Sequence, residues 1–545
     1  MAPALPLTLT LLAALLAAPT LLRYLARAVG WFIRRRSRER RALLLSSLPA
    51  LTTSPRADSP QPSSTSENSQ PSTTETSQPG SHSTWTGIIA FLHPFCAAGG
   101  GGERVLWAAV RATQDRYPRA VCVVYTGDHE LSKEALISRV RDRFNITLNP
   151  STLHFLYLST RSYVLPSSYP HFTLLGQSLG SLILALDALI LLVPDIFIDT
   201  MGYAFALRLS SLLFPSVPTA AYVHYPTIST DMLSSLSAPT TAPIGTHTGA
   251  GTGLRGTAKQ LYWRLFATLY SHAGSGIDVV WANSSWTAAH MRSLWSPHRT
   301  HKPPITILYP PVAVSELEAA IPLDTPREPI VLYIAQFRPE KNHELVLRAF
   351  ALFLSRWKVA HGYEEKNDEG SEPGTAADGM QVPHLQLIGS VRGPADERRA
   401  YRLWLIAHEL SLRPHISFTT DAPWPAVLAA LGRASVGVNG MWNEHFGIGV
   451  VEYQAAGLVS VVNASGGPKE DIVVNETGFH ASSAEEYAEG FKKAFSMSDG
   501  DMAAMRRRAR QSARRFSEEV FKERWVGEME GLIAMQIART GGRKA

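Results

Sequence analysis

The chain is poor in cysteine: only Cys96 and Cys122 occur in 545 residues. Two thiols cannot build a disulfide framework or a four-ligand zinc site, so the folded body is expected in a reducing compartment. Charge is also scarce, at 18% of residues, and the net charge of +6 is concentrated rather than spread. Arg34, Arg35, Arg36, Arg38, Arg40 and Arg41 form one basic block; a second covers Arg506–Arg508, Arg510, Arg514 and Arg515. Basic residues interleaved with aromatics, the footprint of a nucleic-acid binder, are missing. No nucleic acid is expected as a partner.

The stretch LPLTLTLLAALLAAPTLL, Leu5 to Leu22, contains no charge at all. It is long enough to cross a bilayer. No basic n-region precedes it, which argues against a cleaved signal peptide, and it is uniformly apolar where a mitochondrial presequence is amphipathic. The reading that remains is a membrane anchor over residues 1–33, with RRRSRERR holding its far end in the cytosol. The lipid bilayer is then a partner, the N-terminus is lumenal and the body cytosolic, in agreement with the thiols. The sequons at Asn145, Asn283, Asn463 and Asn475 become chance matches.

The length suits two domains with appendages. Residues 34–84 read as the basic block followed by a disordered tether, because 52–84 is dominated by Ser, Thr and Pro and cannot bury a core. From Trp85 onward, short apolar or β-branched runs alternate with helix-period segments, the pattern of a parallel sheet wrapped by helices. The runs GIIAFLHPF, AVCVVYTG, STLHFLYLS, DIFIDT, TAAYVHYP, DVVWANS and ITILYPP belong to a first domain over 85–322. After the break IPLDTPREP, the runs IVLYIAQF, LQLIGSV, ISFTTDA, SVGVNGM and LVSVVNAS belong to a second over 323–515. The expected fold class is α/β, with two doubly wound Rossmann-like domains.

Residues 516–545 predict an amphipathic helix and tail that packs across the domain junction. The polar, Gly/Pro-rich inserts 237–256 and 364–379 read as surface loops. The apolar run 179–199 predicts a buried helix leading into the strand DIFID, since Asp187 and Pro194 argue against a second span. A helix lying in the membrane interface is the other reading.

Ligands of open α/β sheets bind beyond the carboxyl ends of the strands. Three strand-end stretches therefore stand out. The first is HPFCAAGGGGERVLWAAV, whose glycines Gly99–Gly102 offer bare backbone N–H groups and a helix start to a phosphate. It lacks the Gly-Lys-Ser/Thr of a P-loop and the third glycine of G-x-G-x-x-G. The second is IAQFRPEKNHELVLRAF, where Arg338 and Lys341 can clamp a diphosphate. The third is WNEHFGIGVVEYQAAG, in which seven residues separate Glu444 from Glu452. A helix starting near Phe446 puts Glu452 about two turns in and leaves Glu444 on the preceding loop. Phe446, Gly447, Ile448 and Gly449 then present backbone N–H groups at that helix start.

The string NEHFGIGVVE, with FRPEK and GGGGER, resembles retaining glycosyltransferases of the GT-B fold, family 4. HPFCAAGGGGERVLW, DTMGYAF, YVHYPTISTDM, ANSSWT and LYPPV extend the resemblance, over His93 to about Ile472, to the α-1,2-mannosyltransferases of the endoplasmic reticulum. These elongate a dolichol-diphosphate-linked oligosaccharide, at the Man3GlcNAc2 or Man4GlcNAc2 stage, from GDP-mannose. The resemblance implies two domains facing across a cleft. It implies that Gly100, Gly101 and Gly102 abut the donor diphosphate and that Arg338 and Lys341 bind it from the other side. Glu444 would sit by the mannosyl ring, Glu452 on the ribose hydroxyls, and the backbone of Phe446–Gly449 on sugar and phosphate. His224, after the strand TAAYVHYP, would face the donor sugar as a second catalytic residue. It admits other mannosyltransferases of the pathway as partners. No divalent cation is expected: no Asp-x-Asp is read anywhere in the chain, and protein cations take its place. A related transferase with another acceptor or nucleotide, and a non-catalytic nucleotide-sugar scaffold, are the alternatives. The four side chains Arg338, Lys341, Glu444 and Glu452 argue against the scaffold.

Overall fold

The computed structural model describes residues 4–48, 85–236, 253–363, 376–391 and 393–541. The expected tether over 52–84 and most of the two inserts lie outside the described residues. What can be seen of the inserts is a helix that already begins at Gly253 and a turn over 376–379.

The first domain is built on seven parallel strands: β1 (Gly87–Leu92), β2 (Ala120–Thr126), β3 (Leu153–Tyr157), β4 (Ile196–Asp199), β5 (Thr219–Val223), β6 (Val279–Ala282) and β7 (Thr306–Ile307). Their order across the sheet is β3-β2-β1-β4-β5-β6-β7. Strands β1, β2, β4, β5 and β6 are buried at every residue, which is why they read as unbroken apolar runs rather than alternating ones. One face of the sheet packs on helices Thr173–Leu191, Ala204–Leu213 and Gly253–Ser275; the other packs on Gly101–Arg116 and Lys133–Phe144.

The second domain has six parallel strands: β8 (Glu328–Ile334), β9 (His384–Gly389), β10 (Ile416–Thr420), β11 (Ala434–Asn439), β12 (Val459–Asn463) and β13 (Gly478–Ala481), ordered β10-β9-β8-β11-β12-β13. Strand β13 is not among the sequence-predicted runs. It is four residues of GFHA at the sheet edge and carries little apolar signal. The apolar run after Leu179 does fold as a helix, Thr173–Leu191, followed by β4. Asp187 accepts hydrogen bonds from the backbone N–H and hydroxyl groups of Ser159 and Thr160, which ties the helix to the end of β3.

Three boundaries shift from the sequence reading. Val314, Leu317 and Ile321 fill the core of the second sheet, so the segment after Val314 packs with the second domain rather than the first. The helix Glu518–Gly541 does not merely bridge the junction. Its Phe521, Trp525, Met529, Leu532 and Ile533 lie in the core of the first domain, so the chain crosses back to finish the domain it began. The basic block is not part of a loose tether either. It continues the helix Ala4–Arg36 and forms a second helix, Arg38–Ser46. Both dock on the body: Arg41 pairs with Asp195 at 2.8 Å, Arg40 donates to the Leu191 carbonyl and Arg34 to Ser216. Gly30 lies so close to the Leu213 carbonyl that a Cβ there would collide with it.

Trp525 is fully buried, stacks on Phe91 and Phe521, and donates through Nε1 to Thr113 at 2.9 Å. Trp525→Ala is expected to destabilise the first domain by about 3–5 kcal/mol, the cost of a large cavity in a packed core. Thermal unfolding should show this as a lowered midpoint, with early loss of protection in β1 and the helix Gly101–Arg116 by hydrogen exchange.

Candidate active site

In both sheets the strand order reverses next to the first strand, between β1 and β4 and between β8 and β11. That reversal opens a crevice at the carboxyl ends of the strands, where loops on either side part. The sequence-predicted residues lie at these two places. The glycine loop follows β1; Arg338 and Lys341 follow β8; Glu444 follows β11; His224 follows β5 directly.

On the second domain, Lys341 Nζ lies 2.5 Å from Glu444 Oε2, and Asn439 Nδ2 donates to the same oxygen at 3.5 Å. Burial alone would raise the Glu444 carboxyl, but Lys341 beside it wins and holds it below the ordinary carboxylate range. Arg338 is more open: its side chain is 38% exposed, with Glu340 only at 4.0 Å. A cation free of a tight partner is available to a ligand phosphate.

The loop turns into the helix Ile448–Ala456 at Gly447, whose φ of 103° favours glycine. The helix therefore starts two residues later than expected, and Glu452 lies about one turn in rather than two. The Phe446 side chain is buried against Tyr309 and Phe516, leaving only its backbone for the cleft. Glu452 stands deep in the cleft near Gly449, and burial pushes its carboxyl up to about 7 against the opposing pull of Arg104.

On the first domain, Gly100 caps the helix Gly101–Arg116, and its N–H donates to Glu103 Oε2 at 2.6 Å. The other Glu103 oxygen lies 3.6 Å from His93 Nε2, while His93 Nδ1 bonds Thr200 Oγ1 at 2.7 Å. Burial opposes ionisation of Glu103, but its His93 and Gly100 contacts hold it down to about 2. Sequence reasoning left Glu103 and Arg104 without roles and passed over His93. The signal for Glu103 was present: an acid three residues after a helix cap. Arg104 pairs with Glu518 at 2.5 Å, fastening the returning C-terminal helix.

His224 Nε2 is buried with no hydrogen-bond partner among the described residues, 3.5 Å from where a Cβ on Gly102 would sit. Burial pulls this imidazole down to about 4, so it is neutral near pH 7. A buried nitrogen without a partner beside the glycine loop is a ready contact for a ligand group.

The two halves touch. A Cβ on Gly101 would lie 2.6 Å from Ile448 Cδ1, so a side chain at 101 would press on the Ile448 side chain from across the cleft. Asp471 of the second domain accepts hydrogen bonds from Ser285 N–H at 2.8 Å, Ser285 Oγ at 2.5 Å and Tyr309 at 2.8 Å. Asn443 Nδ2 donates to Asp231 at 2.6 Å, and His445 stacks on Tyr225 with ring centres 4.1 Å apart. None of these ties was foreseen, because each joins residues distant in sequence whose pairing only the tertiary fold defines.

Among the described residues no cluster of three His, Cys, Asp or Glu side chains is arranged to hold a metal. The chain does contain one Asp-x-Asp, Asp499-Gly500-Asp501, which the sequence reading overlooked. It opens the helix Asp499–Ala513, where Asp501 N–H donates to Ser498 Oγ at 3.2 Å and the Ser498 hydroxyl donates back to the Asp501 carboxylate at 2.6 Å. It occupies the first turn of a helix capped by Ser498.

Residues 86–295 match the family description "ALG11 mannosyltransferase N-terminus", and residues 316–516 match "Glycosyl transferases group 1". The chain is 56% identical over 471 residues to the GDP-Man:Man(3)GlcNAc(2)-PP-Dol alpha-1,2-mannosyltransferase of Neurospora crassa, covering 83% of this chain and 81% of that protein. The Homo sapiens protein of the same name is 42% identical over 458 residues, covering 82% and 87%. Among solved structures, the trehalose 6-phosphate synthase of Burkholderia multivorans superposes with a TM-score of 0.57 at 12% identity, over 83% of this chain and 99% of that one. Anabaena HepE with UDP and glucose gives 0.51 at 14% identity, over 81% and 99%. These two share the GT-B fold.

The Lys341–Glu444 pair makes a prediction about pH. With its folded pKa depressed, Glu444 adds stability above its unfolded value near 4.5 and loses it as pH falls through the folded value. Lys341→Met removes the cation and leaves the burial, so the sign reverses and the variant should lose stability as pH rises above the ordinary carboxylate value near 4.5. Unfolding midpoints of wild type and Lys341→Met between pH 5 and 8 test this. A difference that does not change with pH counts against Glu444 being buried as drawn.

Proposed function

The chain belongs to the family of GDP-Man:Man(3)GlcNAc(2)-PP-Dol α-1,2-mannosyltransferases, and from that membership we propose how its cleft works. The enzyme transfers mannose from GDP-mannose in α-1,2 linkage to the dolichol-diphosphate-linked oligosaccharide. The barrier lies in parting a sugar that becomes cationic from a diphosphate that gains charge. Preorganised cations and N–H groups aimed at that diphosphate lower it.

Arg338 and Lys341 approach the diphosphate from the second domain, and the backbone of Gly100–Gly102, at the start of the helix Gly101–Arg116, from the first. The N–H groups of Phe446, Gly447, Ile448 and Gly449 add a second helix start. The donor phosphate competes with Glu444 for Lys341. Glu444, kept ionised by that lysine, then presents its negative charge to the mannosyl ring as positive charge develops there. Glu452 accepts the ribose hydroxyls, and the unpartnered His224 nitrogen meets a donor-sugar hydroxyl. The two jaws meeting at Gly101 and Ile448 keep water from the reacting carbon. The transfer runs with retention and without a divalent cation. The helix Ala4–Arg36 anchors the enzyme in the endoplasmic reticulum membrane with the cleft on the cytosolic side, and neighbouring mannosyltransferases of the pathway are partners.

The observation that carries this reading is the joint placement of the Lys341–Glu444 pair and the glycine loop at facing strand-order reversals. The full-length protein, labelled GDP-mannose and a dolichol-diphosphate-linked Man3GlcNAc2 acceptor, with chelator present, should yield product sensitive to an α-1,2-mannosidase. Glu444→Gln is expected to keep the wild-type fold by circular dichroism and to lose roughly 100-fold or more in turnover, the usual cost of removing a group that stabilises transition-state charge. Wild-type turnover in that variant removes Glu444 from the reaction. Transfer that stops with chelator overturns metal independence.

A further inference from the structure

The first sheet has a second concave site, at the end away from the cleft. Asp278 directly precedes β6 there, and Thr219 opens β5. A cavity of about 470 Å³ lies between the helix Ala204–Leu213, the segment 298–302 and the last turn of the helix Glu518–Gly541. Arg208, Arg299, Lys302 and Arg539 line it with a single acid, Asp278. That acid is fully engaged. It accepts from Thr219 N–H at 2.9 Å, from Arg539 at 2.7 and 2.9 Å, and from Lys302. Burial opposes its ionisation, but Arg539 and Lys302 hold the carboxyl down to about 2.

The other two cations have no carboxylate partner among the described residues. Arg299 is buried, and its guanidinium donates to the carbonyls of Gly274, Ile277, Asp278 and Pro303. The Arg208 side chain makes no hydrogen bond or ion pair among the described residues, and it lies so close over Gly276 that a Cβ there would collide with it. Helix ends do not balance this charge. Those at Leu213, Ser275 and Gly541 bring about half a negative charge each. The four cations exceed them and Asp278 together. A concave site with charge of one sign left over concentrates counter-ions. Its wall is polar apart from Pro215, with Ser211, Ser275, Thr300 and His301 around the cations. Such a wall suits a water-soluble ligand, whereas a lipid chain needs apolar surface.

We propose that this cavity binds a small water-soluble anion carrying two phosphate groups. A guanidinium matches a phosphate with parallel N–H donors. Arg208, without a partner of its own, takes one phosphate. Lys302 and Arg539 turn their remaining N–H groups to the other while keeping Asp278. The cations come from three elements around the wall, so a diphosphate engages more of them than a single phosphate does. The bound anion ties the last turn of Glu518–Gly541 to the strand starts of the domain it completes. Because it binds the folded state alone, it stabilises that returning helix. The site stands apart from the cleft and does not rest on the transfer reaction.

Inorganic pyrophosphate, titrated calorimetrically into the full-length protein, tests this. Two equivalents are expected to bind, one at the cleft and one here. Arg208→Glu and His301→Glu, both at exposed positions, should each weaken one equivalent by about tenfold or more, the effect of losing a hydrogen bond to a charged group. The other equivalent should be unchanged. Arg338→Ala should do the reverse and weaken only the cleft equivalent, so the two readings can fail separately. Arg524→Glu, the same change of charge at an exposed position outside the cavity, should alter neither. In Arg338→Ala, pyrophosphate should still slow hydrogen exchange in the last turns of Glu518–Gly541; in Arg208→Glu that protection should be lost. A single equivalent that Arg338→Ala abolishes and Arg208→Glu leaves intact overturns the proposal. Equal weakening by Arg524→Glu shows general attraction and also overturns it. Monomeric dihexanoyl phosphatidic acid binding here more tightly than pyrophosphate assigns the site to a lipid headgroup and overturns the soluble ligand.

Discussion

The cleft depends on how closely the backbone at Gly101 meets the side chain of Ile448 across the two domains. A diphosphate is small, and to be gripped from both sides it needs N–H groups and cations within hydrogen-bond reach on each. Parallel sheets supply such groups only at the carboxyl ends of their strands, so two sheets must face each other there. The missing Cβ at 101 lets them approach. The other interdomain contacts hold that approach in register. Asp471 binds the start of the helix Ser285–Trp295, His445 stacks on Tyr225, and Asn443 bonds Asp231. The returning helix Glu518–Gly541 adds a covalent constraint, because the chain ends in the domain where it began.

Electrostatics in the cleft is a contest between burial and pairing, and each acid is decided differently. Glu103 has His93 and the Gly100 N–H, and stays ionised. Glu444 has Lys341, and also stays ionised. Glu452 has only the distant Arg104, and burial wins. The three carboxyl groups thus have separate characters: pairing holds Glu103 and Glu444 ionised, while burial raises Glu452 to about 7. Burial keeps His224 neutral, so it offers this part of the cleft a hydrogen bond rather than a charge.

Much of this was legible in the sequence because it is local. Twelve of the strands described above overlap the sequence-predicted runs, nine of them wholly inside, since a strand buried on both faces is apolar along its length. The glycine loop, the Arg338–Lys341 turn and the Glu444–Glu452 loop were legible for a related reason. Each sits at a strand end, and each needs residue types that ordinary packing does not. What stayed hidden is non-local. Nothing in the string GGGGER says that Glu103 meets His93, or in PKEDI that Asp471 seats on Ser285. The helix start at Ile448 was misplaced because the left-handed turn at Gly447, which delays it, is a backbone conformation that the neighbouring residues do not spell out. The docking of the basic block on the body was not foreseen because its partners, Asp195 and the Leu191 carbonyl, lie some 150 residues away.

The docked basic helix changes what motion in this enzyme means. With a free tether, the whole body would drift relative to the bilayer and the cleft could open in any direction. Here the N-terminal helix packs on the first domain, and the C-terminal helix fastens to the other side of the same sheet. Both chain ends therefore belong to one rigid half. The second domain is attached through the segment near residue 312, the crossing before Glu518, and the polar contacts at Asp471 and Asn443. Those contacts are few, so they form the part of the structure that can yield. Any opening of the cleft is then a movement of the second domain, carrying Arg338, Lys341 and Glu444, relative to the first.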